Sequence, residues 1–114
     1  MSVKIIIERR FKEFPIQENF SVFDELRVNA MRQKGYISGE TLINSDNKQE
    51  MVVISTWSDF DDFNAWSNSP KRAELESKLT PYLERLATVS SFMLGPDAID
   101  GVFEKIIHDS EVAP

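Results

Sequence analysis

The sequence predicts an α+β protein with a ferredoxin-like fold, in which a four-stranded antiparallel sheet carries helices on one face. The first observation is the order of hydrophobic patterns, which runs strand, helix, strand, strand, two helices, strand. The second is the length of 114 residues, which suits one domain with a modest core. The third is the absence of cysteine, so disulfides cannot support the fold.

The first half of the chain predicts a strand, a helix and a hairpin. Val3 to Phe11 is rich in β-branched residues and predicts the first strand. Glu18 to Lys34 follows with apolar residues at helical spacing, and Gly35 is placed to end that helix in a left-handed conformation. Tyr36 to Ile43 and Met51 to Trp57 predict two strands, which the polar segment NSDNKQ joins as a hairpin. The helix face consists of Phe20, Phe23, Leu26 and Ala30.

The second half predicts two short helices and a last strand. Ser58 is the predicted N-cap of the first helix, which ends before Pro70 because Ser69 is pushed away from helical geometry. A second helix begins at Pro70, where proline suits the first turn. Thr88 to Leu94 predicts the last strand. The apolar face predicted for the second helix consists of Leu75, Leu79, Tyr82, Leu83 and Leu86.

We divide the chain into a domain at residues 1–96 and a C-terminal extension at residues 97–114. In the extension, apolar residues from Ala98 to Ile107 follow helical spacing despite Gly101. We therefore expect a helix that docks on the domain or on a partner subunit, followed by a frayed end at residues 109–114.

Charge and composition narrow the classes of function. The net charge of −6 disfavours a nucleic-acid partner, and no basic cluster points to an anionic membrane. The sequence contains no run of apolar residues long enough to span a membrane and no apolar segment typical of a signal peptide. We therefore expect a cytoplasmic protein.

The strands predict a homodimer. Segments such as VKIII and MVVI are apolar on both sides, whereas the helices can cover only one face of the sheet. The simplest cover for the other face is the sheet of a second copy of the chain.

The segment ISTWSDFDDFNAWSNSPKRAELESKLTPYL resembles the signature segment of the antibiotic biosynthesis monooxygenase superfamily, whose members have a dimeric α+β barrel fold. The shared features are a strand that ends in Trp, a short acidic and aromatic helix, a second Trp, and a Ser-Pro break before a longer helix. The resemblance extends from about Val3 to Leu94. It implies a dimer whose two sheets meet face to face, with a pocket between sheet and helices in each subunit.

The resemblance also implies a choice of functions. Some members oxidise polycyclic aromatic substrates with O₂ and without metal or cofactor, some degrade haem, and many have no established activity. Haem-degrading members share an Asn on the first strand, a Trp on the short helix and an iron-ligating His on the next helix. Trp66 matches the second position, but the other two fall at Arg9 and near Glu76. The only histidine is His108, in the extension. Haem binding is therefore the weakest hypothesis, and we expect no cofactor.

The candidate ligand-binding residues have structural interpretations too. Phe60, Phe63 and Trp66 recur at three-residue spacing, which packing of a short helix explains, although Trp66 could also line a pocket. Strand alternation places Arg9 on the same face as the apolar residues of the first strand. A buried Arg there needs either a carboxylate partner or an acidic or phenolate substrate. The pocket candidates are Trp66, Asn64, Arg9, Tyr36 and Phe63.

Other residues carry less functional signal. Asp59, Asp61 and Asp62 suit the first turn of a helix, so we expect no metal site there. His108 has no neighbouring catalytic group in sequence and is interpreted as a surface or dimer-contact residue.

Three functional hypotheses follow. The first is a cofactor-independent monooxygenase acting on a small aromatic or easily deprotonated substrate. The second is a non-catalytic dimer that binds a small molecule or a protein partner. The third, weaker hypothesis is a haem-binding or haem-degrading protein.

Overall fold

The computed structural model describes residues 1–94, which form one open, antiparallel sheet of four strands. The strands are β1 (Ser2–Arg10), β2 (Tyr36–Ile43), β3 (Glu50–Trp57) and β4 (Thr88–Leu94), and their order in the sheet is β2-β3-β1-β4. This arrangement confirms the predicted ferredoxin-like fold, and the sheet of one chain is not a closed barrel. The predictions for the extension, residues 97–114, fall outside the described residues.

Three helices connect the strands. They are α1 (Gln17–Met31), α2 (Phe60–Ser67) and α3 (Pro70–Leu79), the last followed by a 3₁₀ turn at Thr80–Tyr82. The side chain of Asn19 lies buried in the first turn of α1 and accepts a hydrogen bond from the Ile16 backbone N–H at 3.0 Å. This bond fixes the turn by which the chain enters α1.

The start of α2 corrects one sequence prediction. Asp59, and not Ser58, is the N-cap, because the Asp59 backbone is extended and its carboxylate accepts a hydrogen bond from the Asp61 N–H at 2.8 Å. The Ser58 hydroxyl instead donates to the Asp62 carboxylate at 3.1 Å. At α3 the prediction holds: Ser69 accepts from the Arg72 N–H at 3.2 Å, with proline in the first turn.

The end of α3 corrects a second prediction. The helix stops at Leu79, and Leu86, which was predicted on its apolar face, is 78% exposed. Pro81 has no backbone N–H to continue the helical hydrogen bonds, so a 3₁₀ turn follows. Leu83 is nevertheless buried, in extended geometry, where it pairs with Phe11.

Gly35 makes the turn between α1 and β2. Its φ of +86° lies in the left-handed region that other residues avoid, as the sequence predicts. A Cβ atom at this position would also collide with the side chain of Asp62 in α2. The turn after α1 therefore lies directly against the first turn of α2.

The two faces of the sheet differ. On the covered face, Val3, Ile5 and Ile7 of β1 pack with Trp57 and with residues of α1 and α2. The open face carries the alternate side chains of each strand, which lie opposite one another in the strand pairing. Its apolar members are Ile6, Leu42, Val52, Ile54 and Phe92.

Within residues 1–94, no helix is both long enough and apolar enough to cross a membrane.

Candidate functional site: a cavity between sheet and helices

A cavity lies between the covered face and helices α1, α2 and α3. About 80 Å³ of it is open to the centre of a water molecule, and the empty space measures about 630 Å³ when the solvent at its open mouth is included. Its apolar wall combines side chains of β1 and β3, such as Ile7 and Val53, with Leu26 and Ala30 of α1. Five aromatic residues complete this wall: Phe23, Tyr36, Trp57, Phe63 and Trp66.

The aromatic residues hold one another in place. The ring of Trp57 makes edge-to-face contacts with Tyr36 at 5.3 Å and with Phe63 at 5.7 Å between centroids. The Trp57 indole N–H donates to the Ser55 hydroxyl at 3.0 Å, inside the protein. Because Trp57 and Phe63 are both buried, this wall is rigid before any ligand binds.

Three charged residues form a cluster in the wall of the cavity. Arg9 comes from β1, and Arg72 and Glu76 lie one turn apart on α3. The Arg9 Nη2 donates to Glu76 Oε1, and the Arg72 Nη2 lies 3.4 Å from the same oxygen. The Oε1 atom of Glu76 therefore lies against two guanidinium groups.

The cluster is largely buried, with Glu76 the most exposed member at 22%, and it carries excess positive charge. The side chain of Arg9 is 3% exposed and that of Arg72 is 13% exposed. Desolvation lowers the pKa of Arg72 from its ordinary value, Glu76 opposes this effect, and the like charge of Arg9 adds to it. Arginine stays protonated at neutral pH even so, so two cations and one anion leave one net positive charge.

Arg9 also has unused hydrogen-bonding capacity. Its Nε atom is buried and has no acceptor among the residues that the structure describes. Buried donors in proteins are nearly always paired, so an unpaired one calls for an explanation. Glu76 neutralises the charge of Arg9 but does not provide an acceptor for all five N–H groups of its guanidinium.

The structure brings four of the five predicted pocket residues to this cavity: Arg9, Tyr36, Phe63 and Trp66. Arg9 lies on the covered face, as strand alternation predicts. Asn64 is placed differently. It is exposed on α2, outside the cavity lining, and its side-chain oxygen accepts from Asn68 at 3.1 Å. Asn64 lies two positions before Trp66, a spacing that turns its side chain to another side of the helix.

Sequence reasoning missed Arg72 as a site residue and considered Glu76 only as the position of an absent histidine. The sequence does contain a pattern that indicates both residues, because positions 72, 75, 76 and 79 share one face of α3. Leu75 and Leu79 on that face are fully buried, so the charged residues between them must point toward the interior.

The acidic residues at the start of α2 stabilise the N-terminal end of that helix. Asp59 caps it, and Asp61 and Asp62 lie in its first turn. Among residues 1–94, no three acidic or histidine side chains come close enough together to hold a metal ion.

The fold and the cavity together define a class of protein. It is a ferredoxin-like α+β domain with an aromatic cavity between the sheet and its helices. The chain belongs to the antibiotic biosynthesis monooxygenase family, whose model matches residues 3–77. No protein with curated function matches the chain significantly.

Solved structures share the fold at low sequence identity. SnoaB, a cofactor-independent oxygenase from Streptomyces nogalater, is 21% identical with a TM-score of 0.73, over 82% of this chain and 93% of SnoaB. A conserved protein from Methanosarcina mazei is 14% identical with a TM-score of 0.76, over 83% of this chain and 94% of its own. The likeness confirms the fold alone.

Proposed function

We propose that this protein is a cofactor-independent monooxygenase that oxidises a small aromatic substrate carrying an easily lost proton. The observation that carries the proposal is the cavity itself, in which a rigid aromatic wall surrounds a small buried polar cluster. Apolar lining with a few convergent polar groups is typical of small-molecule sites. Membership of the monooxygenase family and the fold shared with SnoaB support the same choice.

The reaction requires no external reductant if the substrate supplies all the electrons. An activated CH₂ group loses a proton to give a carbanion, which reduces O₂ and forms a C–O bond. The resulting peroxide anion takes the proton back and becomes a hydroperoxide. Loss of water from the hydroperoxide leaves a ketone. The balance is CH₂ plus O₂ giving C=O plus H₂O, so one oxygen atom enters the product.

The protein would contribute position and environment. Tyr36, Phe63 and Trp66 would hold a flat ring and keep water away from the carbanion. The guanidinium of Arg9 would stabilise negative charge that develops on the substrate.

The test is oxygen uptake with a panel of hydroxylated polycyclic aromatics, with product mass measured in ¹⁸O₂. We expect one O₂ consumed and one labelled oxygen incorporated per product, without added metal, flavin or haem. Silence across the panel from folded protein would contradict the proposal. Silence combined with tight binding of panel members would favour the alternative, a non-catalytic small-molecule-binding protein.

The proposal includes a homodimer formed through the open face. Leu42 and Phe92 on this face are 45% and 56% exposed, beside Ile6, Val52 and Ile54. These apolar residues share the face with Lys4, Glu8 and Glu40, and an exposed apolar cluster of this kind favours association with a second copy. Light scattering should give twice the chain mass at micromolar concentration, and a monomer mass would contradict the dimer.

A further inference from the structure

The buried cluster has the opposite charge from the rest of the protein. The chain carries a net charge of −6, whereas Arg9, Arg72 and Glu76 together carry one net positive charge. Two other charged residues line the cavity: Arg27 on α1, which is exposed, and Glu40 on β2, which pairs with Ile54 so that its side chain lies on the open face. The excess positive charge therefore belongs to the cavity as a whole.

A purely structural ion pair does not require two arginines for one glutamate. One arginine and one glutamate would neutralise each other, while the second guanidinium adds a desolvation cost that lowers the pKa of Arg72. The unpaired Nε of Arg9 adds a second cost in the same cluster. Both costs would be offset by an anion that accepts hydrogen bonds from these groups.

The existing contacts indicate which anion fits. The two guanidinium groups already converge on a carboxylate oxygen, that of Glu76. Guanidinium is planar and presents its donors in a fork that matches the two oxygens of a carboxylate. The rest of the wall is aromatic and apolar.

From these contacts we propose that the cavity binds an aromatic carboxylate, whose anionic group lies against Arg72 and Arg9 while its ring lies among the aromatic residues. This inference rests on the proposed function, because it names the substrate class of the same cavity. Arg72 would be the main specificity-determining residue, since its contacts with Glu76 and Ser67 are long, at 3.4–3.5 Å, and its side chain is more exposed than that of Arg9, which donates directly to Glu76. Glu76 would orient both arginines and compete with the ligand for them.

The test compares two ligands of the same shape, 2-naphthoate and the neutral 2-naphthamide, by calorimetry without oxygen. For the unaltered protein we expect 2-naphthoate to bind about 10-fold more tightly or better. Equal affinity for the two ligands would overturn the inference.

Substitutions on α3 then locate the source of the preference. Arg72→Gln should reduce it to about 2-fold, and Arg72→Lys should keep part of it because the charge remains while the fork is lost. Lys71→Gln is the matched control: it makes the same charge change on the same helix, at a side chain that is 47% exposed and lies outside the cavity. Equal effects of Arg72→Gln and Lys71→Gln would overturn the inference.

Glu76→Gln should change the affinity for 2-naphthoate in the direction opposite to Arg72→Gln. Removing the competing carboxylate should tighten 2-naphthoate binding about 5-fold and leave 2-naphthamide unchanged. A merely structural role for Glu76 predicts weaker binding of both ligands, and that result would overturn the inference. Thermal unfolding with and without 2-naphthoate gives a second measurement, because the ligand should stabilise this variant more than the unaltered protein.

The same experiment separates this inference from the proposed function. Binding without oxygen requires no turnover. A clear preference for 2-naphthoate, together with no oxygen uptake across the panel of hydroxylated polycyclic aromatics, would support the carboxylate site and contradict the monooxygenase. Oxygen uptake by a protein that binds both naphthalenes equally would support the monooxygenase and contradict the carboxylate site.

Discussion

The two faces of the sheet come from the same strands but serve different ends. Ile5 and Ile6 are neighbours in β1, yet Ile5 is completely buried under the helices whereas Ile6 lies on the open face. The covered face makes the core and the cavity, and the open face is the surface through which we propose that a second copy binds. The comparison teaches that burial within one chain accounts for the apolar residues of only one face, and the proposed dimer would account for those of the other.

The largest expected effect is a difference in unfolding free energy between substitutions of Ile5 and of Ile6. Ile5→Ala should lower the free energy of unfolding by about 3–4 kcal/mol, because it opens a cavity in the closed core. Ile6→Ala should cost about 1 kcal/mol when the protein is dilute enough to be monomeric. Chemical denaturation of both variants gives the comparison, and equal losses would remove the distinction between the faces.

The next prediction concerns the open face as an interface. Ile54→Lys puts a charge in the middle of the apolar surface and should raise the dimer dissociation constant about 100-fold or more, as sedimentation can measure. Leu86→Lys is the control, since Leu86 is 78% exposed and lies outside the sheet. If both variants dissociate equally, the open face is not the interface.

A third prediction sharpens the description of the covered face. Trp66→Phe keeps an aromatic ring in the core but shortens the cavity wall, so it should weaken binding of a naphthalene ligand about 10-fold. Asn64→Ala, on the same helix but exposed, should change the affinity by less than about 2-fold. Calorimetry measures the ligand affinity of both variants, and a larger loss of affinity in Asn64→Ala would show that ligands bind elsewhere.

The smallest expected effect again compares neighbours on opposite faces. Ser55→Ala removes the acceptor of the buried Trp57 N–H and should cost about 1 kcal/mol of unfolding free energy. Thr56→Ala on the open face should cost about 0.5 kcal/mol or less in the monomer. Thermal unfolding curves can resolve the difference, and the reverse order would contradict the assigned faces.

Much of the fold could be predicted because local patterns specify it. The hairpin strands, the left-handed Gly35 and the break at Pro70 each follow from a few adjacent residues. The errors occurred at element ends. Ser58 and Asp59 are both good N-caps, so their order could not be settled from residue type alone. The early end of α3 follows from Pro81, which the spacing of the leucines concealed.

The sequence by itself determined the strand order along the chain, the faces of β1 and the aromatic helix, because side-chain periodicity is a local property. It also placed Arg9 among buried positions without naming its partner. Only the tertiary structure decided that Glu76, 67 residues away, accepts from Arg9 and shares its oxygen with Arg72. That pairing depends on how α3 packs across the sheet, and such long-range contacts leave no period in the sequence. The excess charge of the cavity, and with it the proposed carboxylate site, is therefore a property of the folded chain.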